Sequence, residues 1–285
     1  MRAGWYGWIL ALGLIAQGSP PADTPDWNRP MPPFRIIGST HYVGTSELGA
    51  YLITSQDGHV LIDGGMASAA PQLLASIAQL GFKVTDIKWL LTTQAHLDHV
   101  GSLAALQKAS GGQVAVMTGD AELVERGGRG DFAFGDEATF PAVHVSRVLH
   151  DGDVVSVGDI ALTAHLTAGH TRGCTTWTMT AREGSGSYHV VFAGSLTVNP
   201  PVRLWKNPSY PGILEDYRRS VAAMRGLPVD VFLGAHAGFF DLAAKRERLA
   251  RGEMPNPFID PEGFRAMVDR GAAALEQRVS GEKSR

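Results

Sequence analysis

A single short segment constrains this chain more than any other feature. Residues Ile87 to Thr92 read IKWLLT, an apolar pattern that predicts a short buried strand. The run is followed directly by Gln94 to His99 (QAHLDH), in which four side chains carry metal-binding donors. A rigid strand that ends in a short loop can aim several side chains at one point. The segment therefore predicts a metal site at the end of a strand.

The spacing within this segment divides its donors into two pairs. Alternation along an extended chain sends Gln94, His96 and Asp98 to one side. His99 turns away as the next helix begins. We therefore predict two metal sites from one segment, because a single site that used all four groups would be harder to arrange. The predicted pairs are Gln94 with His96, and Asp98 with His99.

Two further histidines occur in the same kind of context. His170 lies in the sequence AGHT shortly after the strand-like run 160–166, and His236 lies in GAHA after the strand-like run 229–233. Three strand-end loops with histidine suggest one shared site. Zinc prefers imidazole nitrogen and carboxylate oxygen, although iron or manganese would tolerate the same ligands.

Composition narrows the classes of site and partner. The single cysteine, Cys174, excludes an intramolecular disulfide and any metal cage built from several cysteines. The formal net charge of −3, with 19% charged residues, does not favour a nucleic-acid partner or a polybasic membrane surface. A metal would have to be held by histidine, carboxylate and amide groups.

The first residues have the pattern of an export signal. Arg2 precedes an apolar run from Trp5 to Ala16, which is too short to span a bilayer comfortably. Small residues at Ala16 and Gly18 then mark a cleavage site after residue 18. We expect a signal peptide over residues 1–18 and a soluble periplasmic protein without a membrane segment after its removal. The alternative is a short membrane anchor.

The rest of the chain mixes strands and helices in both halves. Helical spacing covers 71–81, 103–110, 213–225 and 261–279. Strand-like runs cover 34–37, 51–54, 59–63, 87–92, 113–117, 153–157, 160–166, 175–180, 189–193 and 229–233. This order favours an α/β fold of two packed sheets with helices outside, in one domain over residues 19–285.

Several motifs together resemble a known family. They are YVGT at 42–45, LIDGG at 61–65, GFKVTDIK at 81–88, QAHLDHVG at 94–101, AGHT at 168–171 with GCTTW at 173–177, GSLT at 194–197 and GAH at 234–236. In these the chain resembles the metallo-β-lactamase superfamily and, more narrowly, its subclass B3. The resemblance implies a four-layer αββα sandwich with metals at one edge of the paired sheets.

The resemblance also implies two zinc ions per chain and a set of ligands. Gln94, His96 and His170 would surround the first zinc, and Asp98, His99 and His236 the second. Gln94 departs from the commonest residue of the family, histidine, although some members of the subclass carry glutamine. A neutral amide is a poorer donor than imidazole, so we expect weaker metal binding at the first site.

The segment GSLT bears on the substrate. Glyoxalase-like members of the superfamily place at Ser195 an aspartate that bridges the two metals, and serine cannot act as an anionic bridge. In the B3 resemblance Ser195 and Thr197 instead bind the carboxylate of a β-lactam. The alternative is that Ser195 merely packs.

We therefore expect a monomeric enzyme with a small-molecule substrate, a zinc-dependent β-lactamase. Metal-bound hydroxide would attack the lactam carbonyl, with Asp98 orienting the nucleophile, and the activity would confer resistance to β-lactam antibiotics. The alternatives are a lactonase or thioesterase of the same superfamily, expected to retain a bridging carboxylate, and a catalytically silent metal-binding member.

Three further features are not expected to bind metal. His165 is expected to be structural or to support a ligand rather than bind metal. Asp63, at the end of a strand, is expected to make a supporting hydrogen bond. The Gly-rich segment 124–140 is expected to form a loop that borders the cleft or is simply solvated.

Overall fold

A computed structural model of the chain describes residues 27–200 and 202–284. The predicted signal peptide, residues 1–18, lies outside these ranges. Within them, no helix has both the length and the apolar character that crossing a membrane would require.

The first sheet has seven strands that follow the chain order. They are β1 (Phe34–Ile37), β2 (Thr40–Tyr42), β3 (Tyr51–Ser55), β4 (Gly58–Ile62), β5 (Ile87–Leu91), β6 (Gln113–Met117) and β7 (Arg147–Leu149). Strands β1 to β4 are antiparallel, whereas β4 to β7 are parallel. Because parallel strands need crossovers, helices lie between them. These helices are α1 (Ala70–Gln79), α2 (Leu97–Val100), α3 (Leu103–Ser110) and α4 (Ala121–Glu125).

The second sheet has five strands in the order β12-β11-β10-β9-β8. They are β8 (Val154–Val157), β9 (Ile160–Leu166), β10 (Thr175–Glu183), β11 (Gly186–Ala193) and β12 (Val231–Gly234). Strands β8 to β11 are antiparallel, and β12 joins β11 in parallel after the crossover helix α5 (Ile213–Arg225). Helices α6 (Leu242–Ala250) and α7 (Pro261–Lys283) complete the chain.

Alternation along the first sheet separates two cores. Val60 and Leu91 join a cluster that includes Trp177 of the second sheet, so this face packs against that sheet. Leu61, the residue after Val60 on β4, joins a different cluster, which contains side chains from the helices that cover this sheet. On the second sheet, the ring of Phe264 in α7 lies 5.4 Å from that of Phe232 in β12. The predicted αββα sandwich is confirmed.

The predicted elements agree best where apolar periodicity is strong. Helices α3 and α5 and strands β1, β6 and β9 have the predicted bounds. Strands β2 and β7 and helix α4 are short, and their sequences give too few periods to be recognised. Strand β10 continues past its predicted end at Thr180 because the hairpin pairs Ala181 with Tyr188 and so extends the ladder into polar sequence.

The strand directions bring distant loops to one edge. Strands β4, β5 and β6 are parallel, so their carboxyl ends lie together; β9, β11 and β12 likewise share one direction. Asp63, the QAHLDH segment and Asp120 follow the first three strands. His170, Ser195 and His236 follow the other three. All the predicted site residues therefore lie in the connections that follow these strand ends.

Candidate metal centre

Three donors meet closely and form what we call the Asp98 cluster: Asp98, His99 and His236. One donor atom from each lies within 4.8 Å of the others. The Nε2 atoms of His99 and His236 are 3.1 Å apart, and Asp98 Oδ2 lies 3.3 Å and 3.5 Å from them. Tetrahedral zinc with bonds of about 2.0–2.1 Å to nitrogen places its ligand atoms roughly 3.3 Å apart, so this spacing suits the ion.

We call the remaining predicted ligands, Gln94, His96 and His170, the His96 cluster. Nδ1 of His96 lies 3.1 Å from Nε2 of His170. The Nδ1 of His170 donates to the carbonyl of Thr197 at 2.7 Å, which leaves the Nε2 lone pair free to face His96. The two imidazoles are therefore brought together as a metal would require.

Gln94 is assigned to this cluster by the sequence prediction. It is buried, and neither atom of its amide group has a hydrogen-bond partner among the described residues. A buried amide oxygen without a donor is an unmet acceptor, and a cation at this position would satisfy it. The donor set of the His96 cluster thus fits a metal as well.

The backbone between the two clusters is not extended throughout, as the alternation argument assumed. Strand β5 ends at Leu91. Thr92 Oγ1 then accepts from the backbone amide of Gln94 and donates to the backbone carbonyl of the same residue. Helix α2 begins at Leu97, so Asp98 and His99 lie on one helical turn. The side chains of the predicted pair Asp98 and His99 are close in the structure, but placing Asp98 by strand alternation was wrong.

The loop of His170 depends on a glycine. Gly169 has φ of +137°, and a Cβ there would lie 2.6 Å from the ring of Tyr217. The hydroxyl of Tyr217 donates to the Thr197 carbonyl at 2.7 Å, the same oxygen that His170 uses. Tyr217 therefore packs beneath the loop and helps hold the acceptor that orients His170.

Asp63 supports the Asp98 cluster by contacting the ring of His99. Its carboxylate accepts from the amide and hydroxyl of Thr93, each at 2.7 Å, and lies 3.3 Å from Nδ1 of His99. The predicted supporting hydrogen bond is confirmed. Because Asp63 holds Nδ1, Nε2 of His99 is directed towards Asp98 and His236.

Burial and neighbouring charges shift the pKa values of the four imidazoles in different directions. Burial lowers the pKa of His96 to about 4, of His170 to about 3 and of His236 to about 4, in each case with a contribution from neighbouring imidazoles. These three rings are neutral at pH 7 and present lone pairs.

His99 is the exception. Burial also acts to lower its pKa, but the Asp98 and Asp63 carboxylates outweigh that effect and raise it to about 10. Burial opposes ionisation of Asp98, yet the surrounding imidazoles, led by His99, hold its pKa well below the usual range. In the protein without metal a proton on His99 compensates these carboxylates, and a bound cation can do the same.

Asp120 is a site residue that the sequence reasoning missed. It is buried in the loop after β6 and accepts from the backbone amide of Ala95 at 3.0 Å, from Gly173 at 2.7 Å and from the hydroxyl of Thr171 at 2.6 Å. It therefore joins the QAHLDH loop to the loop of His170. The signal was present, since Asp120 follows an apolar strand just as the histidine loops do.

The Gly-rich segment 124–140 reaches the centre. The ring of Phe134 lies 5.2 Å from that of His96 in an edge-to-face arrangement. Asp131 Oδ2 lies 3.9 Å from Nε2 of His96, and neither atom has a hydrogen-bond partner among the described residues. This segment is a loop that borders the site, as one of the two expectations stated.

Comparison with known proteins agrees with this geometry. The sequence profile described as the metallo-beta-lactamase superfamily matches residues 50–236, which include both clusters. The chain belongs to the metallo-β-lactamase superfamily. A probable metallo-hydrolase of Burkholderia pseudomallei is 32% identical over 113 residues, a match that spans only 37% of that protein and 40% of this chain.

Solved members of the superfamily are similar over nearly the whole chain. The FEZ-1 metallo-β-lactamase of Legionella gormanii is 40% identical, with a TM-score of 0.88 over 90% of this chain and 99% of that one. BJP-1 of Bradyrhizobium japonicum, a subclass B3 enzyme, is 37% identical with a TM-score of 0.84, covering 90% and 97%. The class B3 di-zinc enzyme LRA-12 from an Alaskan soil metagenome is 35% identical with a TM-score of 0.86, covering 91% and 98%.

Within this metallo-β-lactamase fold the predicted substrate residues lie beside the His96 cluster. Ser195 is buried, and its Oγ lies 2.8 Å from Oγ1 of Thr197 and accepts from the Thr197 amide at 3.1 Å. Thr197 is exposed. The Ser195 hydroxyl therefore shapes its own loop, and Thr197 is the residue of the pair that solvent can reach.

His165 and Cys174 have other environments. His165 lies on β9, and its Nε2 is 2.8 Å from the hydroxyl of Thr178 on the neighbouring strand. Cys174 is buried, and burial together with Asp120 raises the pKa of its thiol to about 12, so it is not a thiolate at neutral pH.

Proposed function

We propose that this member of the superfamily is a zinc-dependent β-lactamase of the B3 type, which hydrolyses the amide bond of β-lactams. The observation that carries the proposal is the hydroxyl loop at Ser195 and Thr197, which is hydrogen-bonded to the His96 cluster through His170. Similarity of 35–40% identity to subclass B3 and related metallo-β-lactamases supports it. Resistance to β-lactam antibiotics would follow from this activity.

Two zinc ions per chain are part of the proposal, one for each cluster. When bound, zinc supplies Lewis acidity, which lowers the pKa of water to about 7 and polarises a carbonyl oxygen. The residues of the chain hold and orient the reactants around that chemistry. The three neutral imidazoles offer lone pairs, and Asp98 contributes the negative charge.

Asp98 has a second role in this proposal. Its Oδ2 faces His99 and His236, while its other oxygen makes no hydrogen bond to a described residue. That oxygen can accept a hydrogen bond from the attacking water and direct it towards the substrate carbonyl. Asp98 is therefore both a metal ligand and the proposed catalytic residue.

The substrate side of the proposal rests on a cavity of about 480 Å³ that Thr197 borders. Leu196, Phe239 and Met267 supply apolar walls, and Arg270 supplies a positive charge. Phe239 connects this cavity to a proposed ligand, because its ring centroid lies 5.1 Å from that of His236. An amphipathic molecule with one carboxylate, such as a β-lactam, matches a cavity of this size and lining.

A lactonase or thioesterase is the second candidate, and the carboxylates near the centre argue against it. Serine stands at position 195, where such enzymes are expected to carry a bridging acid. Asp63 and Asp120 are each engaged by at least two donors of the chain. Asp131 faces the side of His96 opposite to His170. None of these three carboxylates can substitute for the bridge.

The setting of the enzyme is also proposed. The export pattern of residues 1–18 supports cleavage after Gly18 and a periplasmic location, where β-lactams reach their targets. A monomer is part of the proposal, and the small negative net charge of −3 does not favour a nucleic-acid partner.

Hydrolysis assays test the proposed function directly. Purified protein with two equivalents of zinc should open nitrocefin and a carbapenem, lose that activity with EDTA and regain it with zinc. A lactone and a thioester serve as competing substrates. Brisk hydrolysis of either, with no β-lactam opened, would overturn the proposal in favour of the second candidate; no hydrolysis of any substrate would favour a catalytically silent metal-binding protein.

A further inference from the structure

The far nitrogen of His96 distinguishes this ring from its neighbours. Nδ1 of His170 donates to the Thr197 carbonyl, and Nδ1 of His99 is held by Asp63. Each of those rings therefore has one nitrogen fixed by the protein and the other directed into the centre. His96 directs Nδ1 towards His170, but its Nε2 is buried and has no hydrogen-bond partner among the described residues.

A carboxylate oxygen near that nitrogen also lacks a hydrogen-bond partner. Asp131 Oδ2 is buried, has no hydrogen-bond partner among the described residues and lies 3.9 Å from Nε2 of His96. A buried donor or acceptor left unpaired destabilises the folded protein, and a charged group does so more strongly. A donor and an acceptor that face each other in this way can remove both costs by approaching about 1 Å closer.

The turn that carries Asp131 is well defined. The other carboxylate oxygen, Oδ1, accepts from the amides of Ala133 and Phe134 at 2.7 Å and 2.8 Å. The backbone closes on itself through reciprocal hydrogen bonds between Asp131 and Gly135. Asp131 Oδ1 therefore fixes the turn and leaves Oδ2 directed at the imidazole. Phe134, from the same turn, contacts the edge of that ring.

We propose that Asp131 is a positioning residue for the first metal site. Its Oδ2 accepts a hydrogen bond from Nε2 of His96, which keeps the proton on Nε2 and the lone pair on Nδ1, facing His170. Carboxylates that hold the outer nitrogen of a ligating histidine typically change metal affinity 10- to 100-fold. The Gly-rich loop would thereby determine metal binding in the cluster where Gln94 is a weak donor.

The substitution Asp131→Asn tests whether an acceptor at this position keeps the proton of His96 on Nε2. Asparagine can keep an oxygen for the amides of Ala133 and Phe134, but its NH₂ group then faces Nε2 of His96. A donor at that position favours the tautomer protonated on Nδ1, which cannot bind metal through Nδ1. We expect first-site zinc affinity to fall about 10- to 100-fold, measured by competition with a chromophoric chelator.

Asp136→Asn is the matched control, because Asp136 lies in the same loop and accepts from the amide of Gly130 at 2.8 Å. It should leave both zinc affinities within about twofold. Equal losses in the two variants would indicate a general effect on loop folding and would overturn the proposal. Unchanged affinity in Asp131→Asn would overturn it as well.

Nitrogen NMR of histidine-labelled, metal-free protein gives a second measurement that loop packing alone would not change. His96 should carry its proton on Nε2 in the natural protein and on Nδ1 in Asp131→Asn. If the variant does not fold, the natural protein decides alone, since an Nδ1 proton on His96 would contradict the proposal. The inference rests on the proposed metal site, but neither measurement uses β-lactam hydrolysis, so the two can fail separately.

Discussion

The two donor clusters differ in charge although one segment supplies residues to both. The Asp98 cluster contains a carboxylate, and its His99 is contacted at both nitrogens by Asp63 and Asp98. The His96 cluster consists of two neutral imidazoles and an amide, and it includes buried polar atoms without partners. The difference indicates that one site has its charged donors paired and organised before metal arrives, whereas the other depends on the metal to satisfy its donors.

Their supports differ in the same way. Asp63 contacts the side chain of a proposed ligand, His99. Asp120 contacts only the loops around its ligands, at Ala95, Thr171 and Gly173. The carboxylate of Asp63 thus acts through a ligand ring, whereas that of Asp120 acts through the loops that carry the ligands.

The largest expected effect comes from removing the charge of the Asp98 cluster. Asp98→Asn should lower kcat/KM for nitrocefin by at least about 1000-fold, because several kcal/mol of metal-dependent stabilisation would be lost. One of the two zinc equivalents should disappear in metal analysis. A variant that retained both ions and near-normal turnover would contradict the roles assigned to Asp98.

Removing the charge of Asp120 should lower the stability of the fold, whereas the change at Asp98 acts on turnover. Asp120→Asn turns an NH₂ group towards at least one buried donor, so the free energy of unfolding should fall by about 2–4 kcal/mol in urea titration. The exposed change Asp136→Asn should alter it by less than about 0.5 kcal/mol. Equal stability of the two variants would show that Asp120 does not join the loops.

The pH dependence of the metal-free protein separates His99 from the other three imidazoles by its sign. The pKa of His96, His170 and His236 is lowered in the folded protein, so stability should rise with pH up to about 6.5. The pKa of His99 is raised to about 10, so the folded state binds the extra proton above pH 6.5 and stability should fall as pH approaches 10.

Each proton contributes a slope of up to about 1.4 kcal/mol per pH unit, measurable by urea titration at fixed pH. Zinc should flatten the alkaline decline because it replaces the proton on His99. A metal-free protein whose stability stayed constant from pH 6.5 to 10 would show that the carboxylates do not hold His99 protonated.

Placing an imidazole at position 94 should bring the zinc affinity of the His96 cluster closer to that of the Asp98 cluster. Gln94→His should tighten the weaker zinc equivalent at least about tenfold, or about 1.4 kcal/mol, because imidazole is a better donor than a neutral amide. Chelator competition on both proteins measures this. Two equally tight ions in the natural protein would refute the expected weakness of the Gln94 site.

The smallest effect is expected at the substrate loop. Thr197→Val keeps the shape of the side chain but removes an exposed hydroxyl, so KM for β-lactams should rise about 3- to 10-fold with little change in kcat. Thr180→Val, an exposed change on β10, provides the control. A fall in kcat alone would place the hydroxyl in the chemical step rather than in binding.

Much of the fold could be predicted because its elements have strong local patterns. The apolar alternation of β9 and the helical spacing of α5 led to their bounds, and QAHLDH identified the main candidate donors. Strand β7 and helix α4 could not be predicted in this way, since each is short and is stabilised by contacts with distant strands. The position of Asp98 was misread for a related reason: a single helical turn begins inside a segment that looks extended.

The sequence by itself determined which donor types are available and which loops carry them, because apolar runs that end in histidine or carboxylate residues reflect short-range chemistry. Only the tertiary structure decided how those donors are grouped. Strand order brings His170 to His96 and His236 to His99, and it places Asp120 and Asp131 beside them. Such contacts join residues far apart in the chain, and no local pattern records them.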